Sequence, residues 1–197
     1  RGTEAADHRE FRSSAVSIDA EFIASIISGL KSFLVSAGRA ELLEPLMFCV
    51  RELADNAVKA NIKRVYFAEN GWDIENPGEY ERGMRHFKAT LSERTPELLQ
   101  RLRDLHYETH VTIREREGAL IIDVANATRI TDEESRRVRA RIEKAVAFRD
   151  MAEAYTALHD PGESYGLGIV AVILTLRSMG VASDGFKIAS AGPSTTA

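Results

Sequence analysis

The stretch "RELADNAVKAN", residues 51–61, decides how this chain is read. It carries Glu52, Asn56 and Lys59 at intervals of four and three, beside an apolar flank of Leu53, Ala54, Ala57 and Val58. At about 3.6 residues per turn the three polar side chains fall on one helical face. Glu, Asn and Lys are common on solvated faces, so the stretch alone leaves two readings, a face that meets water or a face that holds something.

Working outward, the periodicity predicts a helix over about 40–60, with Leu43, Leu46, Met47 and Val50 extending the buried stripe. "IKRVYFAE", 62–69, reads as a short strand, and Asn70, Gly71, Asn76, Pro77 and Gly78 signal turns before a further helical stretch at 79–105. Upstream, Ile18, Phe22, Ile26, Leu30 and Phe33 mark an amphipathic helix with Ser17 or Asp19 as its N-cap and Gly38 past its end. The opening "RGTEAADHREFRSS" has no periodicity, and residues 1–16 read as a flexible segment.

Downstream, "THVTIRERE" and "ALIIDVAN" joined by Gly118 have the pattern of an antiparallel hairpin. "TDEE" forms a capping box of Thr131 with Glu134, opening a charged helix that runs toward Asp160-Pro161-Gly162. "GLGIVAVILTLRSMG" is apolar on nearly every side, so it reads as a buried helix ending at Gly180. "GFKIAS" reads as a last strand, and residues 193–197 as a tail that closes no structure. The expected fold class is α+β, a two-layer sandwich of a mixed, mainly antiparallel sheet with helices on one face. One domain covers 17–192, with a helical insertion at about 70–106 and a lid region at about 128–165.

Thirty acidic against 26 basic residues give a net charge of -4, without the basic footprint that nucleic-acid binding uses. Cys49 is the only cysteine, which excludes an internal disulfide framework, and its neighbours Phe48 and Val50 suggest a buried, inert thiol. The most apolar run, 166–176, is well short of the roughly 20 residues that span a bilayer, and no signal-peptide pattern opens the chain. A cytoplasmic location is the expectation. The chain opens at Arg1, which suggests a piece of a longer protein.

"DPGESYGLGIVAVIL" places Gly162, Gly166 and Gly168 directly before the buried helix. Free amides at a helix start, with no side chain to keep a ligand away, can cradle phosphate. Such a turn is weak alone, since glycine before a helix often serves the backbone only.

Taken together, "ELADNAVKA", the hairpin ending "IIDVANATRI", "GESYGLGIV" with its apolar helix, and "GFKIAS" resemble the GHKL ATPase family in order and spacing. That family includes histidine kinases, DNA gyrase and the MutL mismatch-repair ATPases, and its fold is the Bergerat fold. The resemblance covers roughly 17–192 and implies an ATP and Mg²⁺ site. Asn56 matches the N-box asparagine that helps hold Mg²⁺, an ion that takes oxygen ligands. Glu52 matches the acidic position that activates water in the ATPase branch. Lys59 would meet phosphate oxygens, and Gly162, Gly166, Leu167 and Gly168 match the second glycine box.

The first glycine box departs from the family pattern. Asn126 stands at the position of the adenine-binding aspartate, and Ala127, Thr128 and Arg129 replace the glycine-bearing turn. An asparagine oxygen still accepts a hydrogen bond from an adenine amine. Asp123, the other candidate, has the wrong strand parity. The arginines of the lid region, Arg136, Arg137, Arg139, Arg141 and Arg149, alternate with acids as on a solvated face.

His8, the only early histidine, lacks the apolar stripe of a phosphoacceptor helix. The resemblance therefore implies an ATP-binding domain of the histidine-kinase type that presents Mg-ATP to a protein partner or a linked signalling domain, with homodimerisation possible. Two alternatives stay open: a degenerate module acting by protein interaction or weak nucleotide binding, and a stand-alone ATPase using Glu52 as base.

Overall fold

The computed structural model describes residues 9–158 and 167–197. Among these, six α-helices accompany a five-stranded sheet of order β1-β2-β3-β5-β4 in which every neighbouring pair is antiparallel. In chain order the elements are β1 (Glu10–Ala15), α1 (Ala20–Ser36), α2 (Leu43–Glu69), α3 (Pro77–Asp104), β2 (Thr109–Arg116) and β3 (Ala119–Asn126), followed by α4 (Asp132–Ala147), α5 (Met151–Leu158), α6 (Leu167–Ser178), β4 (Ala189–Ala191) and β5 (Ser194–Thr196). The class is α+β, as expected, and the sheet is antiparallel rather than mixed.

The hairpin of β2 and β3 turns through Glu117 and Gly118, both at positive φ, a geometry that matches the twist of the strands it joins. Its inner face carries Val111, Ile113 and Val124, which pack with Phe22, Ile26, Leu30 and Phe33 of α1 and Val50, Ala54 and Ala57 of α2. Asp19 caps α1, accepting from the Phe22 amide at 2.9 Å, and Gly38 follows the helix at positive φ.

Three expectations are corrected. Residues 10–15, read as part of a flexible segment, form β1 and pair with β2 from Glu10↔Arg114 to Ala15↔Thr109. Their alternation is faint because the inward positions are Phe11, Ser13 and Ala15, of which only Phe11 is large and apolar. Residues 62–69, read as a strand, continue α2 to Glu69: no glycine or proline separates them from 51–61, and Val58, Ile62, Val65 and Tyr66 keep helical spacing in a second core with α3. At the other end, "GFKIAS" supplies a strand only from Ala189. The tail turns at Gly192 and returns as β5, and Ala197 exchanges two 2.9 Å backbone hydrogen bonds with Val124.

The insertion is helix α3, whose Tyr80, Phe87, Leu98 and Leu102 pack on the second half of α2 with Trp72 at the edge. Gly83 is required there, because a methyl group on it would lie 2.4 Å from the Phe67 ring. Helices α4, α5 and α6 build a third core around Ala145, Ala154, Val170, Ile173 and Leu174. Helix α2 thus meets α1, α3 and α6 as well as the sheet, which makes it the element on which any site between these layers is hung.

Candidate functional site

Helix α2 presents two polar groupings, one toward α6 and one toward the sheet. The first is Glu52 and Asn56 against the start of α6. Cys49 fixes the approach of the two helices: its buried thiol lies 3.9 Å from the Val172 carbonyl, and burial pushes its pKa up to about 11, so it stays protonated as expected of a packing residue. One turn on, a methyl group on Gly168 would lie 2.6 Å from Glu52 Oε2 and 3.7 Å from Asn56 Nδ2. The glycine is therefore needed for close approach, and it brings the Glu52 and Asn56 side chains to the N-terminal turn of α6.

Glu52 is half-buried and Asn56 exposed, and neither has a hydrogen-bond or ion-pair partner among the described residues. Leu167 and Gly168 open α6 as expected, while Gly162 and Gly166 lie outside the described residues, as do His8, His159 and the Asp160-Pro161-Gly162 breaker. Lys59 is not brought to Gly168 here. Its ammonium pairs with Asp55 at 2.5 Å on the same helix, an exposed i,i+4 contact of the kind worth only about 0.3–0.5 kcal/mol.

The second grouping lies on the sheet. Thr109, Asn126, Thr195 and Ser190 are cross-strand partners in turn, forming a polar row over β2, β3, β5 and β4 beside the apolar inner face. Asn61 of α2 closes over this row, five residues and roughly 140° around the helix from Asn56. Asn61 Nδ2 donates to the Glu108 carbonyl at 3.4 Å, and its oxygen accepts from Asn126 Nδ2 at 3.3 Å and from the Thr128 hydroxyl at 3.4 Å. Asn126 Nδ2 also donates to the Thr128 carbonyl at 3.0 Å and to its Oγ1 at 2.7 Å. Thr195 donates to the same carbonyl at 2.8 Å, so the hydroxyl contact of 3.0 Å between Ser190 and Thr195 has Ser190 as donor.

One buried side-chain oxygen in this row lacks a partner among the described residues. Thr109 Oγ1 has none, although the residue is fully buried, while the Asn126 oxygen, whose amide nitrogen makes the contacts above, receives no hydrogen bond from the described residues. A buried polar atom left unpaired costs about 1–3 kcal/mol, so the Thr109 hydroxyl is the one group of the row whose pairing the described residues do not supply. Asp123, by contrast, lies on the other face of β3, as its parity requires, and pairs with Arg114.

Beyond the row, Glu134 joins α4 to α2. It accepts from Lys63 at 2.6 Å and from Arg64 at 2.5 and 3.0 Å, while completing the expected capping box with the Thr131 amide at 3.0 Å. Burial would raise its pKa, but the Arg64 hydrogen bond and the Lys63 charge outweigh that and hold it at about 2. The Lys63 ammonium is itself pushed below its ordinary value by burial. The lid arginines mostly turn to their own helices, as expected of a solvated face: Arg137 to Glu133 at 2.8 Å, Arg139 to Ser135 at 3.2 Å and Arg149 to Glu153 at 3.2 Å.

Among the described residues, no group of three His, Cys, Asp or Glu side chains could by itself hold a metal, and no helix is long and apolar enough to cross a membrane. No protein-family model and no solved structure matches the chain. A protein of Treponema pallidum (strain Nichols), named only "Uncharacterized protein", is 34% identical over 158 residues, which is 80% of this chain and 31% of that protein. The chain thus spans about a third of the length of this relative.

Sequence reasoning missed Asn61, Thr109, Thr128 and Thr195. Asn61 was legible in part, as a polar residue in the buried stripe that includes Ala54, Ala57 and Val58. Thr109 is in phase with Val111 and Ile113, which marks it as inward-facing. Thr195 had no signal, because the strand that buries it was read as a tail.

Proposed function

We propose that this chain is a Mg-ATP-binding domain with the Bergerat fold of the GHKL family, of the histidine-kinase type, which presents ATP for phosphoryl transfer within a bacterial signalling protein. The observation that carries the reading is the convergence of Glu52 and Asn56 on Gly168 at the start of α6. In this reading the phosphates lie at the start of α6, and the base lies toward Asn126 of β3.

The residues present fit both partners. Asn56 offers an exposed amide oxygen to a cation, and with few protein ligands nearby a magnesium ion would keep phosphate oxygens and water in its shell, as is its habit. The Glu52 carboxylate lies against Gly168, so it would turn aside, or be bridged by the cation, for a phosphate to reach the amides at the start of α6. The Asn126 nitrogen is taken by Thr128 and Asn61, which leaves its oxygen as the acceptor for a base amine. Bound Mg-ATP would supply a phosphoryl group whose transfer depends on positioning and charge neutralisation. Lys59 can add to that neutralisation by leaving Asp55, since the exposed pair it breaks is weak.

A second reading is favoured by one observation, the half-buried Glu52 carboxylate directly beside Gly168. There it could orient and deprotonate a water, making the domain an ATPase. Following [γ-³²P]ATP with and without Glu52→Ala separates the two. Loss of phosphate release with nucleotide retained supports the ATPase, whereas retained nucleotide with no release from either protein supports presentation to a partner. Failure of the unaltered chain to retain ATP contradicts both.

A further inference from the structure

Strand β4 ends the sheet, and no strand pairs with its outer edge among the described residues. Its three residues, Ala189, Ser190 and Ala191, are all exposed. An open strand edge offers N–H and C=O groups to any extended chain, and folds commonly guard such edges with charge. The opposite edge is guarded in this way, since β1 carries Glu10 and Arg12. Strand β4 carries no charged residue.

Helix α4 flanks this edge and leaves a groove of about 330 Å³ between the two. Val138 and Ile142 of α4, Ile130 before it and Ile188 just before β4 line the groove with half-buried aliphatic side chains. The walls are tied together before anything binds: the Ile130 amide donates to Ser190 Oγ at 3.3 Å, and Arg64 of α2 donates to the Arg129 carbonyl at 2.7 Å. Two arginines stand on the lining. The Arg129 guanidinium has no hydrogen-bond or ion-pair partner among the described residues, and Arg139 meets only the neutral Ser135 hydroxyl, at 3.2 Å. Asp132, the one acid on the lining, stands in the first turn of α4, where the helix amides offset its charge.

We propose that the groove between α4 and β4 receives an extended segment of a partner protein as a sixth strand of the sheet, with apolar side chains at alternate positions against Ile130, Val138, Ile142 and Ile188 and a carboxylate at Arg129 and Arg139. In this mode the main-chain ladder supplies affinity and the alternate side chains supply specificity. The charge of the groove selects an acidic segment over a second copy of this chain, whose β4 and Lys187 bring no carboxylate to the arginines. The inference is independent of nucleotide binding, because the groove lies at the edge of the sheet and β5 separates β4 from Asn126 of β3.

The test is selection of a phage-displayed library of random octapeptides on the immobilised chain, followed by fluorescence anisotropy with the selected peptides made synthetically. The selected sequences should carry aliphatic residues two apart and an acidic residue. Arg129→Glu and Arg139→Glu, both at exposed positions, should each weaken binding about tenfold. N-methylation of one peptide amide at a time should weaken binding about tenfold at every second position and spare those between, since alternate amides of an added strand face the sheet. No enriched sequence overturns the proposal, as does binding that ignores both substitutions or an N-methylation profile without a period of two. A dimer of the unaltered chain that sheds the peptide as it forms, seen by sedimentation, assigns the edge to a second copy and overturns it as well.

Discussion

Glu52 on α2 and Gly168 on α6 face each other so closely that one added methyl group at residue 168 would lie 2.6 Å from the Glu52 carboxylate. This closeness joins the polar face of α2 to the first turn of α6. Gly168→Ala should therefore destabilise the chain by about 1–3 kcal/mol in urea unfolding, with the carboxylate forced aside. Glu52→Ala should relieve part of that cost, giving a coupling of at least about 0.5 kcal/mol in a double-mutant cycle. Additive effects would place the carboxylate elsewhere.

Asn126 sits among acceptors, so the aspartate expected from the family pattern does not suit this site. Asn126→Asp would set a buried carboxylate against the Thr128 carbonyl and Asn61 Oδ1. The expected loss is about 3 kcal/mol, seen as a lower midpoint in chemical denaturation. A variant as stable as the parent would show that the amide contacts carry no weight.

Glu134 gives the chain a defined acid response. Its pKa is about 2 in the folded protein against an ordinary 4.5, so the unfolded chain binds its proton more tightly. The stabilisation is complete above pH 4.5 and lost as pH falls toward 2, and amounts to about 3 kcal/mol. Glu134→Gln should flatten the slope of stability against pH in that window. It should also lower stability at neutral pH, because Lys63 and Arg64 keep their burial and lose their anion.

Lys59 offers a cleaner test of phosphate contact than most surface cations. Its pair with Asp55 is exposed, so Lys59→Met should change stability by less than about 0.5 kcal/mol. A loss of ATP affinity in that variant, with ADP and AMP progressively less affected, would show that the ammonium leaves Asp55 for the nucleotide. Equal affinities would show that it stays.

Much of the architecture was legible wherever one periodicity dominated. Helix α1 with its Asp19 cap, the hairpin through Gly118, the Thr131–Glu134 capping box and the buried α6 all follow from spacing and capping chemistry. The errors share a cause. "IKRVYFAE" is rich in β-branched and aromatic residues, which favour a strand locally, but α3 covers Val65, Tyr66 and Phe67 on a continuing helix, and that packing overrides the propensity. Strands β1 and β5 lie at or near sheet edges and are too short or too polar to show alternation, and only pairing with β2 and β3 defines them. The half of the candidate site on α2 was legible because its residues lie within two turns of one helix. Of the half on the sheet, Asn126 was singled out through the family pattern, whereas Thr109 and Thr195 were not, since they meet it only through strand register.

The most direct measurement is titration of the chain with ATP in the presence and absence of Mg²⁺, repeated on Asn56→Ala. A metal-nucleotide site on the polar face of α2 requires magnesium-dependent binding that weakens at least about tenfold when the Asn56 oxygen is removed, a loss of about 1.4 kcal/mol. Binding that ignores both magnesium and the substitution, or no binding at all, would contradict it and leave "RELADNAVKAN" as a face that meets only water or another protein.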